Sequence, residues 1–227
     1  MSIDKQNLKF TLKTELFPIL IIVTTIIIAL VAHPLLPQVV ISHWNAQGVA
    51  DGWSSRNFHT IFFPALIAFI YLVLNITPAI DPNKKRYQEF FKTYLIIRNT
   101  LLFSLLVIFT GATYVNLGHK LNIGGLTGGT IGLLFIVMGN YLGKVKKNWF
   151  VGIKNPWTLS SDNVWNRTHR LSGKLFVIFG FIMIALPWLN PKLVMPTIIA
   201  GSIILVASLT IFSYIIFKKE QKNEKRG

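Results

Sequence analysis

The chain has 227 residues, 52% of them hydrophobic and only 14% charged, with a mean hydropathy of +0.53. An ordinary soluble domain carries about 25% charged residues, so this composition excludes a soluble enzyme, a secreted scaffold and a disordered protein, each of which needs more polar surface. Cysteine is absent, which removes disulfide frameworks, thiolate zinc sites and thiol nucleophiles, and the net charge of +15 reads in so apolar a chain as basic flanks on membrane spans rather than as a nucleic-acid surface.

A helix crossing a hydrocarbon layer about 30 Å thick needs about 20 mainly apolar residues. Six stretches qualify, and the expected fold is an all-α polytopic bundle of six transmembrane helices. The first, Leu16 to His33, lacks the short core and small-residue cleavage site of a signal peptide. The loop after it runs from Pro34 to Asn57. Pro34 and Pro37 stop the helix, while Gly48 and the Asp51-Gly52 pair signal turns. Trp44 and Trp53 each fit a headgroup-depth anchor. With His43, Asn45 and Asp51 they also form a candidate ligand-binding platform. His33, His43, His59 and Asp51 are metal-ligand types, but no pair has the i, i+4 spacing of a helical site, and no metal is expected.

The second span covers about Phe58 to Ile80 and the third about Thr93 to Val115. The third carries Arg98 and Asn99 near one end. An arginine at mid-membrane costs at least about 2.5 kcal/mol, and here it can snorkel to lipid phosphates, as can Lys174 in the fifth span. The fourth span, about Leu121 to Leu142, opens on a glycine-rich run. Gly124, Gly128 and Gly132 are four apart, as are Gly125 and Gly129, which suits close helix packing. Asn140 is a candidate hydrogen-bond partner for another helix. All 8 acidic residues lie in or beside aqueous segments, against a proton-driven pump.

The loop from Gly143 to Arg170 precedes the fifth span, Leu171 to Leu189, and the sixth, Leu193 to Phe217. Ser161 suits a helix N-cap with Asp162 in the first turn. Trp165 and His169 then share one face, with Asn166 and Arg170 on the next row. Taken on chemistry alone this is a juxtamembrane helix, with Trp157 and Trp165 in the headgroup layer and His169 solvated. Lysine and arginine gather before the first span (Lys5, Lys9, Lys13), between the second and third, between the fourth and fifth, and in the tail after Phe217. The other face has Arg56, Lys120 and Lys192. Positive residues stay in the cytoplasm, so both termini are expected there. The chain then divides into a cytoplasmic segment 1–15, a two-span unit 16–92 with the outer loop 34–57, a four-span unit 93–217 with the inner loop 143–170, and a basic cytoplasmic tail 218–227.

Two motifs carry a family resemblance. The outer segment LPQVVISHWNAQGVADGWSSR resembles a Leu-Pro … His-Trp-Asn … Gly … Asp-Gly segment of a small bacterial membrane domain. The inner stretch from Gly139, GN…KNWFVGIKNPWTLSSDNVWNRTHRLSGK, resembles the signature of the SdpI family of bacterial immunity proteins. Lys154 and Asn155 depart from the family's usual Arg and Thr, as do Ile41-Ser42, where a Pro before the His is frequent, and Arg56, where Lys is common. The resemblance implies a multi-pass protein of the bacterial plasma membrane that protects the cell against a secreted, membrane-active antimicrobial peptide toxin. It also implies a receptor role, in which toxin engagement holds a cytoplasmic winged-helix autorepressor at the bilayer. It implies no enzyme activity, no cofactor and no direct nucleic-acid binding. The motif maps to Asn148, Gly152, Pro156, Trp157, Thr158, Trp165, Thr168, His169 and Arg170 as candidate partner or signalling residues. A transporter or exporter of peptides or small solutes is the alternative. The missing intramembrane acids and the lack of a GxxxxGK[ST] nucleotide loop weigh against it. An enzyme built on Thr168, His169 and Arg170 is a third reading, without a visible nucleophile–base–acid set.

Overall fold

The structure is a computed structural model that describes residues 10–45 and 48–225; Lys5, Lys9 and Arg226 of the charge pattern lie outside the described residues. The elements run α1 (Leu12–Ala32), β1 (Val39–Trp44), β2 (Ala50–Ser55), α2 (Arg56–Ile80), α3 (Tyr87–Asn116), α4 (Ile123–Leu142), α5 (Pro156–Ser160), α6 (Asp162–Leu189) and α7 (Val194–Glu224). All but α5 of these helices are long and apolar enough to cross a membrane, so six spans stand as expected. Their ends extend past the apolar stretches because caps and tertiary contacts carry the helix on. Helix α6 begins at its Ser161 cap, and α3 begins at Tyr87, with non-helical dihedrals at Phe90.

Helices α1, α2 and α3 pack together, and α4, α6 and α7 form a second group that α3 joins through α4. The α4–α6 seam is the tightest contact. A Cβ on Gly132 would lie 2.6 Å from the Gly180 carbonyl oxygen, and one on Gly139 would lie 2.6 Å from that of Gly173. Apolar side chains gain little from each other in lipid, so close backbone approach supplies the cohesion. Only part of the expected glycine pattern is used this way: Gly128 and Gly132 lie in the seam, whereas a Cβ on Gly129 would meet nothing. Ile26, Leu30, Phe69, Leu72, Phe181, Ile203 and Ile204 form part of an outward apolar belt.

Proline shapes α1 and α2. Pro18 has no N–H for the Thr14 carbonyl, and Pro78 has none for that of Leu74. Both carbonyls are taken by α3: Arg98 Nη2 donates to Thr14 at 3.2 Å, and the Tyr94 hydroxyl donates to Leu74.

The loop between α1 and α2 is an antiparallel hairpin, which the helical reading did not foresee. Its register, Ile41 opposite Trp53 and His43 opposite Gly52, contains shifts on either side of His43. Gly48 (φ 75°) makes the turn, as expected. Asp51-Gly52 does not turn but lies within β2. A Cβ on Gly52 would stand 2.9 Å from that of His43, so glycine admits the opposing strand. Asn116, at the end of α3, grips the hairpin edge. Its Oδ1 accepts from Ile41 N at 2.7 Å and its Nδ2 donates to Ile41 O at 2.9 Å.

Candidate functional site

Beneath the hairpin lies a cavity of about 200 Å³, where the two helical groups meet. His43, Trp44 and Asn45 of the predicted platform line it, with Phe63 and His59 from α2, Ile108 from α3, Thr127 from α4, and Met195 and Ile198 from α7. Asp51 does not line it but pairs with His43, Oδ1 to Nδ1 at 2.6 Å. Trp53 shares the exposed face of β2 with Asp51 and is 60% exposed. The predicted platform is therefore split: Trp44 and Asn45 are half-buried at the cavity, Asp51 and Trp53 stand on the outward face of β2, and the exposed His43 touches the cavity while pairing with Asp51. The three histidines have separate partners, His33 with Thr60 and His59 with Thr113. Among the described residues no three His, Cys, Asp or Glu side chains gather as a metal cluster.

His59 carries no signal in the sequence beyond its place at the start of a span. It is 1% exposed, and its Nδ1 has no hydrogen-bond partner among the described residues. A buried polar group left without a partner costs about 1–3 kcal/mol.

At the opposite end of the bundle, the loop after α4 folds around Asn148 and Asp81. Asn148 Oδ1 accepts from Phe150 N at 2.9 Å and Val151 N at 2.6 Å, and its Nδ2 donates to Lys146 O and Val151 O, both at 2.8 Å. Asp81, at the end of α2, accepts from Trp149 N at 2.8 Å and from the Tyr87 hydroxyl at 3.2 Å. Neither Asp81 nor Tyr87 stood out in the sequence; an acid directly after an apolar span, followed by proline, is the trace they leave. Pro156 opens α5, and Thr158 completes a capping box with Asn155. Asn155 Nδ2 in turn donates to Ser213 of α7 at 2.8 Å.

Trp165 and His169 overturn the headgroup-layer reading. Both are fully buried, stacked with ring centroids 4.0 Å apart. Trp165 Nε1 donates to Val145 O at 2.8 Å. His169 Nε2 accepts from Ile153 N at 3.0 Å, so the imidazole proton sits on Nδ1 and is donated to Trp165 O at 2.8 Å. Both ring nitrogens are engaged, so no lone pair is left over for a reacting substrate. Gly152 (φ 122°) passes over this pair, and a Cβ there would come within 2.4 Å of His169 Nε2. Thr168 is buried with its hydroxyl unpartnered among the described residues. Trp157 sits edge-on to Tyr214 of α7. Arg170 is exposed and lines a groove of about 860 Å³ together with Arg167 and Lys174.

Residues 144–217 match the SdpI/YfhL protein family, and residues 20–68 match a domain of unknown function, DUF1648. Immunity protein SdpI of Bacillus subtilis (strain 168) is 24% identical over 208 residues, covering 92% of this chain and 98% of that protein. The chain is SdpI-like. No solved structure matches it. Its six spans and this likeness make the SdpI-like chain a multi-pass protein of the bacterial cell membrane. The SdpI-family segment starts in the folded loop and continues through most of α7. The DUF1648 segment takes in most of α1, the hairpin and the first half of α2.

Two intramembrane residues of the SdpI-like chain depart from expectation. Arg98 does not snorkel. It is buried, its Nη1 donating to Glu15 Oε2 at 3.0 Å and to Asn75 Oδ1 at 2.5 Å, and its Nε to Asn99 Oδ1 at 3.1 Å. The carboxylate falls inside α1 because the helix starts ahead of its apolar stretch. Asn140 does not bridge helices: its Nδ2 donates to Ile136 O on its own helix at 2.8 Å, since its side chain faces outward.

Proposed function

We propose that this chain is an immunity protein: it protects its cell against a membrane-active peptide toxin by binding, without covalent chemistry. The observation that carries this reading is the alignment over nearly the whole length of both chains with a protein named for immunity. The hairpin and its cavity then form the toxin-facing end. That end faces outward, because Lys84, Lys85, Arg86, Lys144, Lys146, Lys147, Lys218 and Lys219 all belong to the other one. A peptide arriving in the outer leaflet meets Trp53 on the open strand face and Trp44 at the cavity. Occupancy there blocks insertion or self-association of the toxin.

At the cytoplasmic end, the hydrogen-bonded loop presents the exposed Trp149, and the first turns of α6 the exposed Asn166 and Arg170, to a partner, in line with a receptor that retains a winged-helix repressor. Buried motif residues such as Trp165, Thr158 and Asn148 hold that surface in shape. The test is survival of a toxin-sensitive host expressing Trp44→Ala with Trp53→Ala, at membrane abundance matched to the parent. Protection is expected to fall; undiminished protection removes the hairpin from the mechanism. A toxin-responsive reporter with Arg170→Ala tests the inner surface separately.

A further inference from the structure

At the loop end of the bundle several cations are answered within the protein. Arg86 and Lys147 share Asp162, at 2.6 and 2.9 Å, and Lys146 pairs with Glu89 at 3.6 Å. Lys154 donates to the carbonyls of Trp149 and Phe150, and Lys144 and Lys218 lie over tyrosine rings. The side chains of Arg167, Arg170 and Lys174 have no ion pair and no hydrogen bond among the described residues. All three line the groove beside α6, and no acidic side chain lines it with them. Positions 167, 170, 171, 174 and 178 fall on one stripe of α6, about 16 Å long. The stripe is cationic in its first turns. Beyond Lys174 it becomes apolar in the direction that enters the bilayer, where Ile178 is 57% exposed and leads on to the outward Phe181. Gly139, Gly143 and Gly173 leave part of the groove's wall without side chains. A Cβ on Gly143 would stand 3.7 Å from Arg170 Cγ, so the arginine stem rests on the end of α4.

We infer that this groove is a site for one anionic phospholipid of the leaflet at the loop end, its phosphate held by Arg167, Arg170 and Lys174 and an acyl chain laid against Leu171, Val177 and Ile178. The inference stands on the charges and on the helices lying in lipid, independently of the immunity reading. Arg167 and Arg170 are three apart, and Arg170 and Lys174 four apart. Like charges at these spacings destabilise a helix, and an anion from the membrane offsets their repulsion. Basic pockets between helices at headgroup depth take anionic headgroups, and a guanidinium can bind phosphate through two parallel N–H donors. A zwitterionic lipid brings its own ammonium against the same cations. A soluble phosphate meets the cations but gains nothing from the apolar half of the groove.

The test uses the full chain in nonionic detergent, with lipid binding read by native mass spectrometry. The probes are phosphatidylglycerol, phosphatidylcholine and soluble glycerol phosphate. Phosphatidylglycerol is expected to bind saturably, and phosphatidylcholine at least about tenfold more weakly. Glycerol phosphate at equal concentration is expected not to displace the lipid. Arg167→Gln with Lys174→Gln is expected to lower the affinity for phosphatidylglycerol at least about tenfold. Arg170 stays in place there, because the cytoplasmic partner surface also uses it. Lys84→Gln with Lys85→Gln removes the same charge from exposed positions at the same end but outside the groove lining, and is expected to bind like the parent. A photoactivatable phosphatidylglycerol on the unaltered chain is expected to label α6 between residues 170 and 178. Equal binding of the two lipids, an equal loss in both double variants, or labelling elsewhere overturns the site. Displacement by glycerol phosphate overturns its assignment to a lipid. None of these readings depends on protection, so a chain that binds the lipid as expected yet gives no survival advantage refutes the immunity reading and leaves the lipid site standing.

Discussion

Arg98 shows how a single side chain is tolerated at depth. Its guanidinium meets a carboxylate, two side-chain amides and the carbonyl that Pro18 leaves open, so every neighbour that could answer its charge does so. Removing one member of a buried ion pair costs about 3–5 kcal/mol, because the other charge stays buried without an answer, whereas removing both is milder. Arg98→Leu and Glu15→Leu are therefore each expected to lower unfolding stability in detergent by that order, and the double variant by less than the sum. Strict additivity in the cycle means that the two groups act independently. Arg98 is legible in the sequence; its partner is not. Glu15 looked like a flanking residue because hydropathy marks the apolar stretch, while the helix starts earlier, at a threonine capping box. His59 reads in the sequence only as a metal-ligand type, because burial and orphaned atoms leave no mark in composition.

Between helices, glycine and proline do complementary work. Glycine in α4 and α6 lets two backbones touch; proline in α1 and α2 opens carbonyls that α3 then occupies. Gly139→Leu and Gly180→Leu are expected to force α4 and α6 apart, with overpacking losses of about 1–3 kcal/mol or more read as a lower melting temperature. Gly129→Leu, on an open face, is expected to stay near the parent. An equal drop for all three means the seam is not where stability resides. The glycine spacing announced tight packing without saying which row would be used, since that depends on the facing helix. The six spans were legible because apolar length is a local property. The hairpin was not: its strands are short, and its edge is completed by Asn116, far along the chain. Nor was the burial of Trp165 and His169, since a Trp…His pair at i, i+4 looks the same on a wet face as on a dry one.

At the scale of the whole molecule, the two ends are built differently. The hairpin end is a thin cover over a cavity. The other end is a hydrogen-bonded loop tied to α2 through Asp81 and to α7 through Asn155 and Ser161, the last donating to Glu220 at 2.8 Å. The chain has no cysteine of its own, so single substitutions report orientation without background. On intact cells, Val49→Cys is expected to react with a membrane-impermeant maleimide, and Asn166→Cys only after lysis. The reverse pattern inverts the molecule and moves the toxin-facing role to the loop end.

The pairing of Glu15 with Arg98 also bears on how the protein is made. The first helix enters the bilayer with its carboxylate still lacking the guanidinium that will neutralise it, which arrives only with the third. A chain that stops after α2 holds Glu15 and Asn75 without the guanidinium from which both accept. Only α3 brings the guanidinium, so the packing of the first three helices is coupled through this one group.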